Sequence, residues 1–296
     1  MLFALAILLA GGLSGVHAVS LATAPGTRPL WLAVPPLVPR APAPPPRPRP
    51  AGLISIAATG SIIGTGDRFD GVRELLRADV TTADLAPAVA AAGLRKDNTK
   101  IIGGYGEAAE TQARGVRIAV LGFPAAAVAD LTAAKRAVTA AARRADLVVV
   151  HARLGAPGRY RVAGGVERHR GEDRGDPVRF AHAVVDAGAD LVLGHGPGVL
   201  RGMEFHRGRL IAYSLGTFAG PAGRAGRYAA AGVLRVMLRA DGRWAGGTFT
   251  ATRPDRGGRP VPDRTGAGLR HVRELSAADF PGTGPAISEN GGLTAG

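Results

Sequence analysis

The chain has 296 residues, no cysteine, a formal net charge of +14 and a pI near 11.4. Its length fits one large domain or two modest ones, and the missing cysteines exclude thiol catalysis and cysteine-based zinc sites. Because the arginines are scattered and aromatic residues make up only 5% of the chain, we predict no nucleic-acid partner. An anionic envelope polymer or an anionic lipid surface fits the charge better.

The first 18 residues predict a signal peptide or a short membrane anchor. Residues Leu2 to Leu13 are almost entirely apolar, and Val16-His17-Ala18 resembles a small-x-small cleavage site. The apolar run is shorter than the roughly 20 residues that a membrane-spanning helix needs. No Lys or Arg precedes it, so cleavage and retention as an anchor both remain open. We therefore expect an exported, extracytoplasmic protein of the cell envelope.

Residues 19–51 predict a Pro-rich tether. Nine prolines lie between Pro35 and Pro50, and such a run lacks backbone donors and favours extended polyproline II geometry. The segment suits a stiff spacer, with a Pro-rich recognition ligand as the alternative.

Residues 52–281 predict the folded domain, and its first part alternates strands with helices. The predicted strands are 53–58, 80–83, 117–122, 146–151 and 190–195, and the predicted helices are 72–76, 85–92, 131–144 and 177–187. Asp70 is the expected N-cap of the first helix, and Asp176 with Pro177 begins the last one.

After Gly220 the pattern changes to strands. A strand at 210–216 precedes this point; a strand at 233–238, a turn at Asp241-Gly242 and a strand with Trp244 and Phe249 follow it. The residues therefore predict an α/β fold in which helices cover some strands and a β-rich sheet closes the domain. Residues 282–296 are predicted to form a flexible tail.

One block carries the most information about function. A buried strand, Leu191 to Leu193, runs into Gly194-His195-Gly196-Pro197, and Tyr213-Ser214-Leu215-Gly216 follows after a hairpin turn. The block resembles the bacterial capsule-synthesis family, CapA-like proteins tied to poly-γ-glutamate production. The resemblance implies a metallophosphatase-like (calcineurin-like) two-sheet sandwich flanked by helices, with metal ligands at strand ends. It also implies a role in making or handling an anionic surface polymer.

The sequence departs from this family at most of the expected ligands. Gly198 replaces a second histidine, Thr217 an asparagine, Ser61 an aspartate and Ala86 a carboxylate. An Asn-Asn-His segment is missing between Leu85 and Gly103, which predicts an internal deletion that truncates the fold. Ser61 cannot replace a carboxylate as a ligand of a hard cation without losing charge.

Two histidines survive where the family places ligands. His151 and His195 end neighbouring predicted strands and are the candidate catalytic residues; with Asp84 they form the candidate metal set. The remaining predicted cleft residues are Ser61, Gly198, Glu204, Tyr213 and Thr217. His169, His182, His206 and His271 match no motif and are predicted to lie on the surface or on helix faces.

The leading hypothesis is a family member with a degenerate metal site and no resident cofactor. His151 and His195 would then titrate as ordinary imidazoles. One alternative is an active metal-dependent phosphoesterase with a reduced site, holding a divalent ion through His151, His195 and Asp84. Another is a non-catalytic envelope scaffold that binds a polyanion or other envelope proteins.

Overall fold

Two β-sheets face each other across the main hydrophobic core. The computed structural model describes residues 52–63, 69–84, 95–96, 99–102, 109–162 and 164–295. The predicted signal peptide or anchor, the tether and the helix at 85–92 lie outside these residues, as does most of the predicted deletion. No helix within the described ranges is long and apolar enough to span a membrane.

Nineteen strands and six helical segments make up the described part of the chain. The strands are β1 (Leu53–Thr59), β2 (Ser61–Ile62), β3 (Val80–Thr82), β4 (Arg95–Lys96), β5 (Thr99–Ile102), β6 (Ala109–Ala113), β7 (Val116–Phe123), β8 (Leu147–Arg153), β9 (Arg168–His169), β10 (Glu172–Asp173), β11 (Leu191–His195), β12 (Met203–His206), β13 (Arg209–Ala212), β14 (Thr217–Ala219), β15 (Ala231–Arg239), β16 (Trp244–Pro254), β17 (Pro260–Pro262), β18 (Ala286–Ile287) and β19 (Gly292–Thr294). The helices are α1 (Ala125–Val128), α2 (Leu131–Ala142), α3 (Pro177–Asp186), α4 (Ala267–Asp279) and the 3₁₀ helices Asp70–Leu76 and Gly226–Ala229.

The six-stranded sheet has the order β12-β13-β11-β8-β7-β6. Its four central strands are parallel and its two edge strands are antiparallel to their neighbours. One face packs on α2 and α3 through residues such as Val138, Phe180 and Val184. The other face packs on the second sheet, so the central strands are buried on both faces and are correspondingly apolar.

The second sheet has nine strands in the order β18-β19-β16-β15-β1-β3-β5-β4, with β17 paired to β16. Ile54 and Ile56 of β1 and Val236 of β15 share one buried cluster with Val149 and Leu193 of the six-stranded sheet. The fold is therefore an α/β two-sheet sandwich with helices on its outside, in agreement with the predicted class.

The structure corrects two local predictions and adds one helix. Asp70 is the first residue of a 3₁₀ helix and gives it no side-chain cap, because its carboxylate accepts a hydrogen bond from Arg73 at 2.6 Å. The predicted strand at 210–216 ends at Ala212, because the chain turns away to start β14. Helix α4 was not predicted.

The predicted flexible tail is also wrong. Residues 286–294 form β18 and β19, and β19 pairs with β16 at Gly247 and Thr248. Ile287 and Leu293 are buried in the core between the sheets, which explains why this segment docks. The apolar positions are too few and too widely spaced by Gly and Asn for the sequence alone to indicate a strand.

Candidate functional site

His151 and His195 meet at the carboxyl ends of two neighbouring parallel strands, β8 and β11. Both side chains are buried, at 0% and 1% exposure. His151 Nδ1 lies 2.8 Å from His195 Nε2, and the two ring planes differ by 7°. Since the ring centroids are 5.0 Å apart while the nitrogens are in hydrogen-bonding contact, the rings meet edge to edge. These residues are called the buried histidine pair below.

Thr82, at the end of β3 in the opposite sheet, completes a line of hydrogen bonds. Its Oγ1 lies 2.5 Å from His151 Nε2. A neutral imidazole has one donor and one acceptor nitrogen, so the line has two arrangements. Either His195 donates to His151 and His151 to Thr82, or the direction is reversed. In both arrangements each ring nitrogen of His151 is occupied, and the nitrogen of His151 that carries the proton fixes the direction of both hydrogen bonds.

Asp84 and Ser61, two of the predicted site residues, lie beside this pair. The Ser61 hydroxyl donates to Asp84 Oδ2 at 2.6 Å, and Ile62 N donates to the Asp84 carbonyl at 2.8 Å. Arg153 Nη2 lies 3.7 Å from Asp84 Oδ2, although the arginine side chain is still 39% exposed. A fully buried carboxylate therefore has a hydroxyl donor and a cation close to it.

Burial controls the protonation of the histidine pair. Burial, and then the neighbouring His195, lowers the pKa of His151 from 6.5 to about 3, against an opposing effect of Asp84. Burial lowers the pKa of His195 to about 4, where Arg153 adds to the lowering and Asp84 opposes it. The prediction that both histidines titrate as ordinary imidazoles is wrong, because a charged imidazole would lose its hydration here.

The geometry does not fit a two-metal centre. Histidine binds a metal through a ring nitrogen lone pair, and both nitrogens of His151 are already hydrogen-bonded. Arg153 also brings a positive charge next to the Asp84 carboxylate, where a divalent cation would be repelled. In the part of the chain that the structure describes, no group of three or more His, Asp or Glu side chains is arranged to hold a metal ion.

Gly198 and Thr217, two of the predicted cleft residues, lie close to each other. Thr217 Oγ1 is 3.5 Å from the Gly198 carbonyl oxygen, so this contact is at the limit of a hydrogen bond. Gly198 has a φ of +70°, a conformation that a histidine there would adopt only with strain. The loop after β11 is therefore shaped for glycine.

The structure does not place Glu204 and Tyr213 in this cleft. Tyr213 packs on the helix-covered face of the six-stranded sheet, whereas the buried histidine pair is on the face toward the second sheet. The Tyr213 hydroxyl donates to Glu204 Oε1 at 2.5 Å, and His182 Nε2 lies 2.7 Å from the same oxygen. Side chains alternate along a strand, so Ile211 and Tyr213 face the helices while Leu210 and Ala212 face the second sheet.

Two residues near the histidine pair were missed by the sequence analysis. Thr82 is a buried polar residue at the end of a predicted strand, and Arg153 follows His151 by two positions. Strand periodicity puts Arg153 on the same face as His151, which is a signal that the sequence contains. The role of Thr82 depends on pairing between distant strands, which the sequence does not reveal.

A buried ion pair joins the loops that follow β8 and β11. Arg201 and Glu167 are 0% and 3% exposed, and Arg201 Nη2 donates to Glu167 Oε2 at 2.8 Å. Glu167 Oε2 also accepts from Ala156 N at 2.7 Å, and Arg201 Nε donates to the carbonyl of Arg159 at 2.7 Å. These contacts tie the loop after β11 to the loop after β8.

Comparison with known proteins places the chain in a family. The model of the family described as "Bacterial capsule synthesis protein PGA_cap" matches residues 61–221, more than half of the chain. The capsule biosynthesis protein CapA of Bacillus anthracis is 34% identical over 122 residues, covering 35% of this chain and 27% of its own length. The PGA biosynthesis protein CapA of Bacillus subtilis (strain 168) is 30% identical over 118 residues, covering 35% and 28%.

The matched region thus spans little more than a quarter of either curated relative. A hypothetical protein from Thermus thermophilus with a solved structure aligns with 67% of this chain and 98% of its own, at 13% identity and a TM-score of 0.41. The family match includes Ser61, Asp84, His151 and His195 and runs through the Tyr213–Gly216 block. The chain belongs to the bacterial capsule synthesis protein family, PGA_cap.

Proposed function

We propose that this protein takes part in the synthesis or handling of an anionic capsule polymer, poly-γ-glutamate, without a two-metal catalytic centre. One observation carries the claim that a two-metal centre is absent: both ring nitrogens of His151 are hydrogen-bonded, to Thr82 and to His195. The role in capsule polymer synthesis or handling is supported by family membership and by two relatives named for capsule and PGA biosynthesis.

The finer fold assignment belongs to the same proposal. We infer a metallophosphatase-like sandwich shortened between residues 86 and 102, where the sequence lacks the Asn-Asn-His segment. The two packed sheets with outer helices support this inference. Strands β3 and β5 are adjacent and parallel, with Thr81 paired to Ile101. The chain between them is short, which fits the loss of a strand-loop-helix unit at this point.

The polar side chains around the histidine pair replace what a cation would supply. Asp84 receives the Ser61 hydroxyl at 2.6 Å and lies 3.7 Å from Arg153. A hydroxyl donor and a cation thus lie beside one oxygen of a buried carboxylate that would otherwise lack a nearby positive charge. The site is held together by contacts within the protein.

Metal titration of the whole protein tests this proposal. Calorimetry with Mn²⁺, Zn²⁺ and Mg²⁺ should detect no stoichiometric site, and phosphodiester turnover should equal that of His195→Ala. The matched control is His169→Ala, which removes a histidine outside the site. Saturable binding of one ion together with turnover that His195→Ala abolishes would refute the absence of a metal centre.

One observation favours the reduced-site enzyme as a second candidate. His195 Nδ1 is buried and has no hydrogen-bond partner among the described residues. In one of the two proton arrangements this nitrogen carries a lone pair, which could bind a single ion or act as a base. A metal-dependent rate that falls in His195→Ala and not in Thr217→Ala would support this candidate.

The localisation is also part of the proposal. We propose an exported, extracytoplasmic protein with its folded part held off the membrane by residues 19–51, because residues 1–18 resemble a signal peptide or anchor. Fractionation of cells that produce the full chain tests this point. Recovery of the protein in the cytoplasm with residues 1–18 intact would contradict it.

The net charge of +14 supports binding of the polymer itself. A polyanion is attracted to such a surface by a field that salt screens. Binding of poly-γ-glutamate should therefore weaken as the salt concentration rises. No detectable binding at low salt would argue against polymer handling and leave the family assignment as it stands.

A further inference from the structure

A cavity of about 560 Å³ lies between the 3₁₀ helix Gly226–Ala229, the end of β16 and the start of α4. Three arginines line it, Arg224, Arg227 and Arg253, against a single carboxylate, Asp263. None of these arginines forms a salt bridge with any residue of the described ranges. Its volume is in the range that binds small molecules in proteins. We call this cavity the arginine pocket.

Buried polar atoms without partners line the arginine pocket. Thr252 is only 1% exposed, and its Oγ1 has no hydrogen-bond partner within the described part of the chain. The same holds for Nε and Nη2 of Arg224, whereas its Nη1 donates to the Thr217 carbonyl. An unpaired buried donor destabilises a folded protein, so such atoms are uncommon unless water or a ligand satisfies them.

The one carboxylate in the pocket is already engaged. Asp263 Oδ1 accepts from the backbone and hydroxyl of Thr265, at 3.0 and 2.6 Å, and Oδ2 accepts from Gly268 N at 2.9 Å. Asp263 thus satisfies the start of α4 and forms no ion pair with Arg224. Burial lowers the pKa of Arg224, as expected for a guanidinium without a counter-ion.

Two lining residues of the arginine pocket contact the ring of Tyr160. Arg227 lies 5.1 Å from the centre of the Tyr160 ring, which is 6.0 Å from the ring of His271. A cation stacked on an aromatic ring keeps its edge available for hydrogen bonds to an acceptor. The lining therefore offers guanidinium donors and a hydroxyl, which is the chemistry that recognises an oxyanion.

We propose that the arginine pocket binds the oxyanion of a ligand, either a carboxylate or a phosphate, through Arg224 and the Thr252 hydroxyl, with Arg227 and Arg253 supplying further positive charge. The site is distinct from the buried histidine pair, since the residues that line it include neither His151 nor His195. The two oxyanion sources are a glutamate-type chain and a phosphorylated molecule. A glutamate chain would connect the pocket to the proposed function, and a phosphate would not.

Calorimetry on the full chain tests the pocket with two probes, a γ-linked glutamate oligomer and inorganic phosphate, each at low salt. We expect saturable binding of at least one probe. Arg224→Gln and Thr252→Val should each weaken it about tenfold or more, because each removes a hydrogen bond that involves a charged group. The control Arg136→Gln removes an equal charge from the exposed side of α2 and should leave the affinity unchanged.

Thr252→Val separates a binding role from a structural one. Because Thr252 Oγ1 has no partner in the described protein, the isosteric valine should leave the melting temperature unchanged or raise it while the affinity falls. If neither probe binds, or if binding is insensitive to both pocket variants, the arginine pocket is not an oxyanion site. An equal loss in Arg136→Gln would mean non-specific attraction and would also overturn the proposal.

The two probes separate this proposal from the proposed function. Phosphate binding that depends on the pocket, without glutamate binding, would support the arginine pocket and count against polymer handling. Glutamate binding that ignores the pocket variants would support polymer handling and refute the pocket.

Discussion

Two pairs of histidines in this protein differ in the arrangement of their rings, in their burial and in their hydrogen-bond partners. The buried histidine pair, His151 and His195, meets edge to edge between the two sheets. His182 of α3 and His206 of β12 instead stack face to face on the other side of the six-stranded sheet, with ring centroids 3.9 Å apart and planes 7° apart. We call these two residues the stacked histidine pair.

The partners of each pair explain the difference in their protonation. His182 Nε2 lies 2.7 Å from Glu204 Oε1, and His206 Nε2 lies 3.0 Å from Asp186 Oδ1. The hydrogen bond to Glu204 raises the pKa of His182, whereas burial lowers the pKa values of His151 and His195. Histidine thus favours opposite protonation states here, according to whether a carboxylate is hydrogen-bonded to it, as at His182, or burial removes its hydration, as at His151 and His195.

The largest expected effect concerns acid stability. The folded-state pKa values of the buried histidine pair lie below the ordinary 6.5, so the unfolded chain binds more protons than the folded one as the pH falls below 6.5. The pair should therefore lower the free energy of unfolding by about 3 kcal/mol between pH 7.5 and 5.5, which is about 1.4 kcal/mol for each histidine over the whole interval. Urea unfolding at several pH values measures this slope.

A double variant shows whether the slope comes from this pair. His151→Leu with His195→Leu removes both titrating groups together and should flatten the curve over the same pH interval. The control His169→Ala removes a histidine outside both pairs and should keep the slope. If the double variant retains the full slope, the acid sensitivity comes from other groups.

The second prediction concerns the hydrogen bond between His151 and Thr82 of the opposite sheet. Thr82→Val keeps the shape of the side chain and leaves His151 Nε2 buried without its 2.5 Å partner. The loss of free energy of unfolding should be about 1–3 kcal/mol. Thr82→Ser retains the hydroxyl and should recover most of it.

Nitrogen NMR adds a readout that is specific to the histidines. In the wild type, the ring-nitrogen shifts of His151 and His195 should report one neutral tautomer in each ring at pH 7. Thr82→Val should change these shifts and leave those of His182 and His206 unaltered. Unchanged shifts for His151 would contradict the hydrogen-bonded line of Thr82, His151 and His195.

How much of these two pairs the sequence could predict depends on the kind of contact. The strand-end position of His151 and His195 follows from the apolar strands before them, since the ends of parallel strands lie at one edge of a sheet. Their lowered pKa values could not be predicted, because burial depends on Thr82 and the second sheet closing over them. The stacked histidine pair joins a helix to an edge strand 24 residues away, which no local pattern indicates.

In the fold, too, elements with local sequence signals were predicted, and elements that depend on contacts between distant residues were missed. Strands β7, β8 and β11 and helices α2 and α3 were predicted almost to their ends, because their apolar runs and the start of α3 at Asp176 and Pro177 are local signals. Strands β18 and β19 were missed because their stability comes from pairing with β16. The arginine pocket was missed for a similar reason, since its residues come from three segments that are distant in sequence.

The smallest expected effect tests the stacked histidine pair. Glu204→Gln removes the carboxylate whose hydrogen bond raises the pKa of His182, so this pKa should fall toward 6.5. The stability that this hydrogen bond contributes has the opposite pH dependence to that of the buried pair. It is present below pH 6.5 and is lost as the pH rises through the raised folded-state pKa of His182. The His182 side chain is 33% exposed, so solvent screening keeps this contribution below about 1 kcal/mol.

Proton NMR titration of His182 measures the shift of its pKa. Thr283→Val is the control, because it removes only the 3.3 Å contact to Glu204 Oε2. If the pKa of His182 is the same in Glu204→Gln and in the wild type, the carboxylate does not set its protonation, and the contrast between the two pairs reduces to burial alone.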